Sequence, residues 1–263
     1  MGEVALVDVS KRYRLRTGKQ EQIVRALKGV SFNVKDGEFV VLIGPSGCGK
    51  TTALRIAMGL ETASSGCVTV DGRAITGCGH DRGMVFQHAE LLPWLTSLQN
   101  VMFGLEMKGM RGAQLQETAR RYLDLVQLSD SQDRRPHQLS GGMKQRVGIA
   151  RALAIDPKVL LMDEPFGALD AQTREDLQAQ LLDIHTRTRK TVIFVTHDLD
   201  EAVLLADRVI VMRGGVVDST IDVPIPRPRG DFSAIRAMPE FAATRYRIWA
   251  ALHEVDPAHC EAH

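Results

Sequence analysis

The sequence predicts an α/β fold with a mostly parallel sheet covered by helices on both faces. Continuous apolar runs return through the second half of the chain, at residues 159–162, 192–195 and 209–212. Amphipathic segments at 173–188 and 199–206 separate these runs. Strands that carry no polar residues are typical of parallel sheets buried on both sides, so the alternation predicts a layer of helices on each face.

The first 85 or so residues predict short strands joined by turns. β-Branched residues fill the runs, and Gly, Asp and Asn separate them, as at 35–37 and 71–72. We interpret the N-terminal strands as an antiparallel β subdomain. One helix interrupts this block; it follows Gly49 and Lys50 and ends at Gly59. The predicted strands are 4–9, 30–34, 39–43, 67–70 and 83–86.

A helical period replaces the strands from about residue 95 to 154. Leu115, Ala119, Tyr122 and Val126 recur on one side of an amphipathic helix, and Ser140 precedes a second helix. The chain therefore divides into a core in two parts (1–88 and 155–222), an inserted helical subdomain (89–154) and a C-terminal remainder (223–263). Residues 223–230, Val-Pro-Ile-Pro-Arg-Pro-Arg-Gly, predict a linker, and 241–252 predict a short helix.

Charge and composition exclude several classes of function. The chain has 33 Lys and Arg against 32 Asp and Glu, so we expect no nucleic acid partner. Its apolar stretches are far shorter than the ~20 residues of a membrane-spanning helix. We expect no secretory signal at the N-terminus and no myristoylation, because Leu6 stands where that signal needs Ser or Thr.

Cysteine and histidine usage predicts neither disulfides nor a zinc site. The four cysteines, Cys48, Cys67, Cys78 and Cys260, are few and irregularly spaced, which favours a reducing cytoplasmic compartment. The tail also carries His253, His259 and His263, but chain ends fray, so this cluster predicts no metal site.

The strongest motif of the sequence begins at Gly44. Residues 44–51, Gly-Pro-Ser-Gly-Cys-Gly-Lys-Thr, fit the phosphate-loop pattern G-x-x-x-x-G-K-[ST] at every fixed position. Glycines let successive N–H groups point at phosphate oxygens, Lys50 supplies a cation for the β and γ phosphates, and the Thr51 hydroxyl is a ligand for Mg²⁺. A glycine-rich turn is the alternative, but the strand before and the helix after favour a phosphate loop.

A pair of acids ends a buried strand further along the chain. Asp163 and Glu164 follow the apolar residues 159–162, so they emerge at the carboxyl end of a strand, where ligands bind in such sheets. Asp163 is therefore predicted to hold Mg²⁺ together with Thr51, and Glu164 to orient or deprotonate the attacking water. Solvated acids at a strand end are the alternative, which the phosphate loop makes weaker.

Residues 139–146, Leu-Ser-Gly-Gly-Met-Lys-Gln-Arg, resemble the signature motif Leu-Ser-Gly-Gly-Gln of the ATPase subunits of ABC transporters. Met143 replaces the final glutamine, whereas Ser140, Gly141 and Gly142 keep the donors that would contact phosphate. Further matches follow in the order of the family: an adenine-stacking aromatic, a glutamine loop, an aspartate loop and a switch histidine. These residues are Tyr13, Gln87, Asp170 and His197.

The resemblance implies a P-loop NTPase (RecA-like) core and an ATPase that uses ATP and Mg²⁺. In this family, ATP lies between the phosphate loop of one copy and the signature motif of another, which implies a head-to-tail homodimer. The implied catalytic residues are Glu164, His197, Lys50 and Gln87, and the implied Mg²⁺ ligands are Thr51, Gln87 and Asp163. The implied ATP contacts are Tyr13, Gly44, Pro45, Ser46, Gly47, Cys48, Gly49, Lys50, Thr51, Thr52, Ser140, Gly141, Gly142 and Asp170.

Residues 87–100 include Leu-Leu-Pro-Trp, which resembles the groove that receives a helix of the membrane subunit. With the signature motif and the Pro-Arg-Pro-Arg linker, it resembles the branch that imports nitrate, sulfonate or taurine. That branch implies a permease, indirectly a solute-binding protein, and a place at the cytoplasmic face of the cell membrane. A soluble ABC-type ATPase acting on nucleic acid or ribosomes is the alternative, but Ser140 follows Lys50 by only 90 residues, which leaves no room for a coiled coil. A non-catalytic regulator is disfavoured by Glu164 and His197.

Overall fold

A computed structural model describes residues 2–17 and 20–253. The tail residues His259, Cys260 and His263 lie outside this part of the chain. The strands are β1 (Val4–Thr17), β2 (Gln20–Val34), β3 (Phe39–Ile43), β4 (Ser65–Val70), β5 (Arg73–Ala74), β6 (Arg82–Val85), β7 (Val159–Asp163), β8 (Thr191–Thr196), β9 (Arg208–Arg213) and β10 (Val216–Asp222). The helices are α1 (Lys50–Met58), α2 (Ser97–Met107), α3 (Gly112–Leu125), α4 (Gly141–Ala154), α5 (Ala171–Thr188), α6 (Leu199–Leu205), α7 (Phe232–Arg236) and α8 (Pro239–His253).

The chain forms two compact units. The first unit comprises Met1–Cys78 and Thr191–His263, and the second comprises Gly79–Lys190. The domain boundaries predicted after residues 88, 154 and 222 differ from these limits and stay predictions. In the second unit, β6 and β7 pair with each other and α4 packs on β6, so these two strands group with the helices that follow them.

An antiparallel sheet of the order β2-β1-β4-β5 forms one layer of the first unit. Strands β1 and β2 form a hairpin far longer than the predicted strands 4–9 and 30–34. The sequence pattern missed the outer part of this hairpin because its residues are largely polar, whereas the pairing uses backbone groups. Tyr13 lies in this outer part, opposite Val24.

Parallel strands form the second layer of the first unit. Strand β3 pairs in parallel with β8 and with β9, and all five of its residues are buried. The rings of Phe39 and Phe194 lie 5.9 Å apart in this core. Strand β10, which the sequence analysis did not predict, pairs antiparallel with β9. Exposed side chains alternate with half-buried or buried ones along β10, so it lacks the continuous apolar run that marked the other strands.

Residues 223–253 pack against other elements of the first unit. The predicted helix at 241–252 is confirmed as α8, which contacts α6, β9 and β10. Residues 223–230 form no regular element, as predicted, but the prediction of a linker was wrong. Val223, Ile225 and Arg229 are buried, because this segment lies against the end of α6 and donates hydrogen bonds to it.

Helices dominate the second unit, where α2, α3 and α4 pack against one another. Helix α3 buries Leu115 and Ala119 as predicted, together with Leu123 rather than the half-buried Tyr122. Helix α2 begins at Ser97, where Thr96 forms a capping box with Gln99, in agreement with the helical period predicted from about residue 95. No helix within the described residues is long and apolar enough to cross a bilayer.

Candidate nucleotide-binding and hydrolysis site

The phosphate loop joins β3 to α1 in the first unit. Gly47 and Gly49 adopt φ values of +79° and +104°, which side chains with a β-carbon rarely adopt. Gly49 is the N-cap residue of α1 and provides no side chain to cap it. The first N–H groups of a helix have no acceptor within the helix, so this end of α1 suits a phosphate group.

Close packing excludes side chains at two glycines of the loop. A methyl group at Gly44 would lie 2.1 Å from the carbonyl oxygen of Met212 and 2.7 Å from Cys48 Sγ. A methyl group at Gly49 would lie 2.6 Å from the carbonyl oxygen of Ala26. The loop backbone therefore lies directly against β9 and the middle of β2, and this contact fixes its shape.

Lys50 is buried, and its side chain folds back over the loop. Its Nζ donates hydrogen bonds to the carbonyl oxygens of Gly44 at 2.7 Å and Pro45 at 3.2 Å, and it lies 3.8 Å from Cys48 Sγ. The ammonium group is thus held by neutral acceptors rather than by a carboxylate in these contacts. A triphosphate would supply it with stronger, charged acceptors.

The register of the parallel strands places His197 beside the loop. Ile43 at the end of β3 pairs with Thr196 at the end of β8, so Gly44 and His197 begin neighbouring connections at one sheet edge. His197 is exposed. The residues before and after His197 are hydrogen-bonded to each other. The Thr196 hydroxyl donates to the buried Glu201 carboxylate at 2.5 Å and accepts from the Asp198 N–H at 3.0 Å.

Tyr13 is half-buried on β1, and a lysine covers part of its ring. Lys11 Nζ lies 5.0 Å from the ring centroid, within cation–π range, and forms a 2.8 Å ion pair with Glu61. Lys11 also donates to the carbonyl oxygen of Thr62. Lys11 therefore connects this aromatic residue to the turn after α1.

The second unit brings together Asp163, Glu164 and Gln87. Val85 pairs with Met162 in the parallel β6–β7 pair, so the residues after both strands lie at the same edge. A β-carbon at Gly167 would lie 3.8 Å from Gln87 Nε2 and 3.8 Å from Glu164 Oε2, so both polar tips border that glycine. Glu164 has a φ of +43°, a strained backbone that is typical of functional sites.

Helix α4 holds the segment that carries Gln87. The buried Gln145 donates to the carbonyl oxygen of Phe86 at 3.0 Å, and Arg151 donates to those of Ala89 at 2.7 Å and Glu90 at 2.8 Å. Desolvation lowers the pKa of Arg151, and Glu90 opposes that shift. Sequence reasoning missed this function of Gln145 and Arg151, because their acceptors are backbone carbonyls that no motif identifies.

The signature residues form the N-terminus of α4. Ser140 is exposed and is the N-cap residue, accepting a hydrogen bond from the Met143 N–H at 3.2 Å. Ser140 therefore caps the helix and remains accessible to a ligand. A β-carbon at Gly142 would lie 2.4 Å from Thr173 Cγ2, so glycine permits close contact with α5.

Asp170 caps α5 in the same region. Its carboxylate accepts from the Thr173 N–H at 3.0 Å, and this hydrogen bond lowers the pKa of Asp170. A cavity of about 360 Å³ extends between Ser140, Gly142, Thr173 and Asp176. The two helix N-termini thus meet beside a space open to a ligand or a second chain.

The donor groups that the sequence predicts as metal ligands are of the chemical type that suits Mg²⁺. Thr51 provides a hydroxyl, Asp163 a buried carboxylate and Gln87 an amide, and Mg²⁺ prefers such oxygen donors. Mg²⁺ in nucleotide sites binds one or two protein carboxylates together with phosphates and water. Among the described residues, no group of three or more His, Cys, Asp or Glu could hold a metal ion by itself.

A phosphate loop after β3, acids after β7 and a parallel sheet define this chain as a nucleotide-hydrolysing α/β protein. The family profile described as "ABC transporter" matches residues 27–167, and the chain belongs to the ABC transporter family. The predicted family, the P-loop NTPase fold and the use of ATP and Mg²⁺ are confirmed. The protein is an ATPase whose hydrolysis is coupled to transport.

Several relatives of similar length are named as ATP-binding proteins, and two of these names specify import. An ATP-binding protein of Brucella abortus is 53% identical over 234 residues, 88% of this chain and 89% of its own. The nitrate import ATP-binding protein NrtD of Synechocystis sp. is 46% identical and covers 89% of this chain and 90% of its own. The taurine import ATP-binding protein TauB of Rhizobium johnstonii is 46% identical, with corresponding shares of 89% and 91%.

A solved structure provides a relative with bound nucleotide. The dimeric ATP-binding cassette MJ0796, in a post-hydrolysis state bound to ADP and phosphate, superposes with a TM-score of 0.75. It is 36% identical to this chain, and the match covers 85% of this chain and all of that cassette.

Proposed function

We propose that this chain is the ATP-hydrolysing subunit of an importer for a small anion such as nitrate, a sulfonate or taurine. The observation that carries the proposal is the pairing of a complete phosphate loop with an exposed, helix-capping Ser140 in a single chain. The names of NrtD and TauB support the import direction and the substrate class. The dimeric MJ0796 cassette supports a homodimer.

In this proposal, two copies meet head to tail and share each ATP. The phosphate loop of one copy, residues 44–52, holds the β and γ phosphates, and Tyr13 stacks on the adenine. Ser140, Gly141 and Gly142 of the other copy donate to the γ phosphate, and its Asp170 lies at the same seam. Two identical half-sites make such a dimer closed and symmetric.

Hydrolysis requires a water aligned with the γ phosphorus. Glu164 accepts a proton from that water as it attacks, the bond between the γ phosphorus and the β–γ bridging oxygen breaks, and ADP and phosphate are released. Lys50 and His197 stabilise the charge that develops on the γ phosphate. Thr51, Gln87 and Asp163 would hold Mg²⁺, which when bound neutralises phosphate charge.

Glu164→Gln tests the catalytic assignment. We expect the variant to bind ATP, to lose phosphate release and to accumulate as an ATP-bound dimer in light scattering, because the amide cannot accept the proton of water. Glu117→Gln, the same change at an exposed position of α3, is the matched control and should retain full activity. Hydrolysis at the wild-type rate by Glu164→Gln would remove Glu164 from this role.

Mixing two inactive variants tests the sharing of ATP between copies. Lys50→Ala disables the phosphate loop, and Ser140→Arg blocks the signature surface. A mixed dimer then keeps one intact site, so activity should return to about a quarter of the wild-type rate when copies exchange at random. If each copy hydrolyses ATP alone, the mixture will stay as inactive as its components.

An exposed apolar surface in the second unit suits a membrane subunit. Trp94, Phe103 and Met107 are 66%, 42% and 62% exposed. Buried Asn100 shapes the loop before α2: its Oδ1 accepts from the Leu92 N–H at 2.8 Å, and its Nδ2 donates to the Thr96 carbonyl at 2.9 Å. The loop thus presents Trp94 on a fixed backbone, as a docking surface requires.

The permease contact can be tested by co-purification. We propose that this surface attaches the chain to permease subunits at the cytoplasmic face of the membrane. A solute-binding protein would act on this chain only indirectly, through the permease. Trp94→Glu should lose co-purification with the co-expressed permease while the isolated subunit keeps its ATPase activity. Trp249→Glu, at an exposed tryptophan of α8, should still co-purify with the permease. Equal retention by both variants would contradict the assignment.

A further inference from the structure

The Pro- and Arg-rich segment after β10 is fixed in place. Arg229 is only 4% exposed, and Val223 and Ile225 beside it are buried. Arg229 donates from Nη2 to the carbonyl oxygen of Ile225 at 2.7 Å, so the segment folds back on itself. Buried guanidinium groups are rare unless their donors are satisfied, so the partners of Arg229 indicate its function.

Those partners form the C-terminal end of α6. Arg229 Nη1 donates to the carbonyl oxygens of Val203, Leu204 and Ala206 at 3.2, 3.0 and 2.7 Å. Arg227 Nη2 donates to the carbonyl oxygen of Leu205 at 2.6 Å. The last carbonyls of a helix have no partner within it and carry partial negative charge, so two cations stabilise this end.

An ion pair fixes Arg227, and Arg229 keeps its positive charge despite its burial. Arg227 Nε pairs with Asp207 at 2.7 Å, and the other carboxylate oxygen of Asp207 accepts from the Phe39 N–H. Burial lowers the pKa of Arg229 to about 10, with the Arg227 charge adding to the shift and Asp207 opposing it. Arg229 therefore remains a cation at neutral pH.

The N-terminal end of α6 begins directly after His197. Asp198 caps it by accepting from the N–H groups of Asp200 and Glu201 at 2.8 and 3.0 Å. Arg245 of α8 pairs with Asp200 at 2.7 Å. C-terminal residues thus contact both ends of the helix.

We propose that Arg227, Arg229 and Arg245, here called the C-terminal clasp, are positioning residues for His197. Helix α6 has seven residues, far fewer than the ~12–15 that a helix needs for marginal stability alone, so its ends need outside partners. A short rigid helix transmits a displacement at its C-terminus to the residue that precedes it. The clasp therefore fixes where the His197 ring lies relative to the phosphate loop.

This inference rests on the proposed function, because it assigns the clasp to the γ-phosphate contact of His197. A purely structural role, in which Arg229 only attaches the C-terminal residues, would change folding without a specific effect on the imidazole. A positioning role predicts a lower kcat at saturating ATP and a shifted NMR signal of His197, whereas a purely structural role predicts neither in the folded variant.

Arg229→Lys is the principal variant, because lysine keeps the charge but cannot reach several carbonyls at once. We expect kcat to fall about tenfold or more with KM for ATP unchanged, since small misplacements of a catalytic group cost this much. The ¹³Cε1–¹H signal of His197, assigned by its loss in His197→Ala, should shift. Arg208→Lys is the matched control, because Arg208 also donates to a backbone carbonyl and pairs with Glu38 in the same unit, and neither of these acceptors belongs to α6.

Arg245→Gln decides the matter if Arg229→Lys does not fold, because the Arg245–Asp200 pair is about half exposed. It should shift the same His197 signal and lower kcat by about twofold, the effect of losing an exposed ion pair. An unchanged His197 signal with unchanged kcat in the folded variants would overturn the clasp. If His197→Ala itself keeps the wild-type kcat, the proposed role of His197 fails, whereas the signal still reports whether the clasp positions the ring.

Discussion

Replacing Arg151 tests whether α4 controls the segment that carries Gln87. Arg151 donates hydrogen bonds to Ala89 at 2.7 Å and Glu90 at 2.8 Å, and Gln145 donates to Phe86 at 3.0 Å. Arg151→Met keeps most of the aliphatic stem but removes both donors. Gln145 then holds only the first residue of the segment, so the loss should be concentrated at residues 87–90.

The expected magnitude follows from how exposed each bond is. A hydrogen bond from a charged group contributes about 1.5–3 kcal/mol, and the partly buried bond to Ala89 belongs to this range. Water replaces most of the exposed bond to Glu90. Methionine also avoids the desolvation that lowers the pKa of Arg151. We therefore expect the free energy of unfolding to fall by only about 1–2 kcal/mol.

Local opening should change more visibly than global stability. We expect hydrogen exchange of the amides at 87–90 to accelerate about tenfold, equivalent to about 1.4 kcal/mol, and kcat to fall while ATP still binds. Arg120→Met, which removes an exposed arginine of α3 that pairs with Gln132, is the control and should change neither. Faster exchange throughout the chain with normal exchange at 87–90 would refute the reasoning.

Two further outcomes test the loop and a surface ion pair. Gly44→Ala should lose ATP binding and should lose more thermal stability than Gly47→Ala. The methyl group at residue 44 would lie 2.1 Å from the carbonyl oxygen of Met212, whereas at residue 47 it would meet open space and cause only the strain of a φ of +79°. Similar melting temperatures of the two variants would contradict this. A hydrogen bond from Lys190 holds the pKa of Asp156 below its ordinary 3.8, so the stabilisation is present at neutral pH and is lost as pH falls through and below that value. Urea unfolding should therefore separate wild type from Asp156→Asn by less than about 1 kcal/mol at neutral pH and by nothing in strong acid, because the carboxylate is largely exposed; a gap that widens in acid would reverse the assigned sign.

Local signals were sufficient for the parts of the site that one continuous segment forms. The phosphate loop is defined by glycine spacing, a strand before it and a helix after it, and all of these are properties of residues 39–59. The positions of Asp163 and Glu164 could be predicted because the apolar run before them is typical of a buried strand. The roles of the site residues in catalysis remain predictions.

Hairpins and surface strands were harder to predict. The outer parts of β1 and β2 carry few apolar residues, so no periodicity marked them, although they place Tyr13. Strand β10 pairs with β9, and its sequence shows only weak alternation of apolar and polar residues, although the exposure of its side chains alternates. In both cases the backbone pairing that forms the strand depends on a partner elsewhere in the chain, which a local pattern does not contain.

The Pro- and Arg-rich segment shows the same limit most clearly. Its composition is typical of a solvated linker, and proline does exclude regular structure there. The burial of Arg229 comes from three carbonyls at the end of α6, and any residue type provides a backbone carbonyl. The donor is therefore visible in the sequence while its acceptors are not.

Two loops and one helix end of this protein depend on that kind of contact. Asn100 donates to the loop of Trp94, Arg151 to the segment of Gln87, and Arg229 to the helix that follows His197. Irregular backbone has carbonyls that no strand or helix satisfies, and one multidentate side chain can satisfy several of them at once. Such a donor fixes the loop backbone and leaves the functional side chains of that loop available to a ligand. Buried Arg, Gln and Asn residues outside the known motifs are therefore the residues to examine first when the positioning of a catalytic loop is in question.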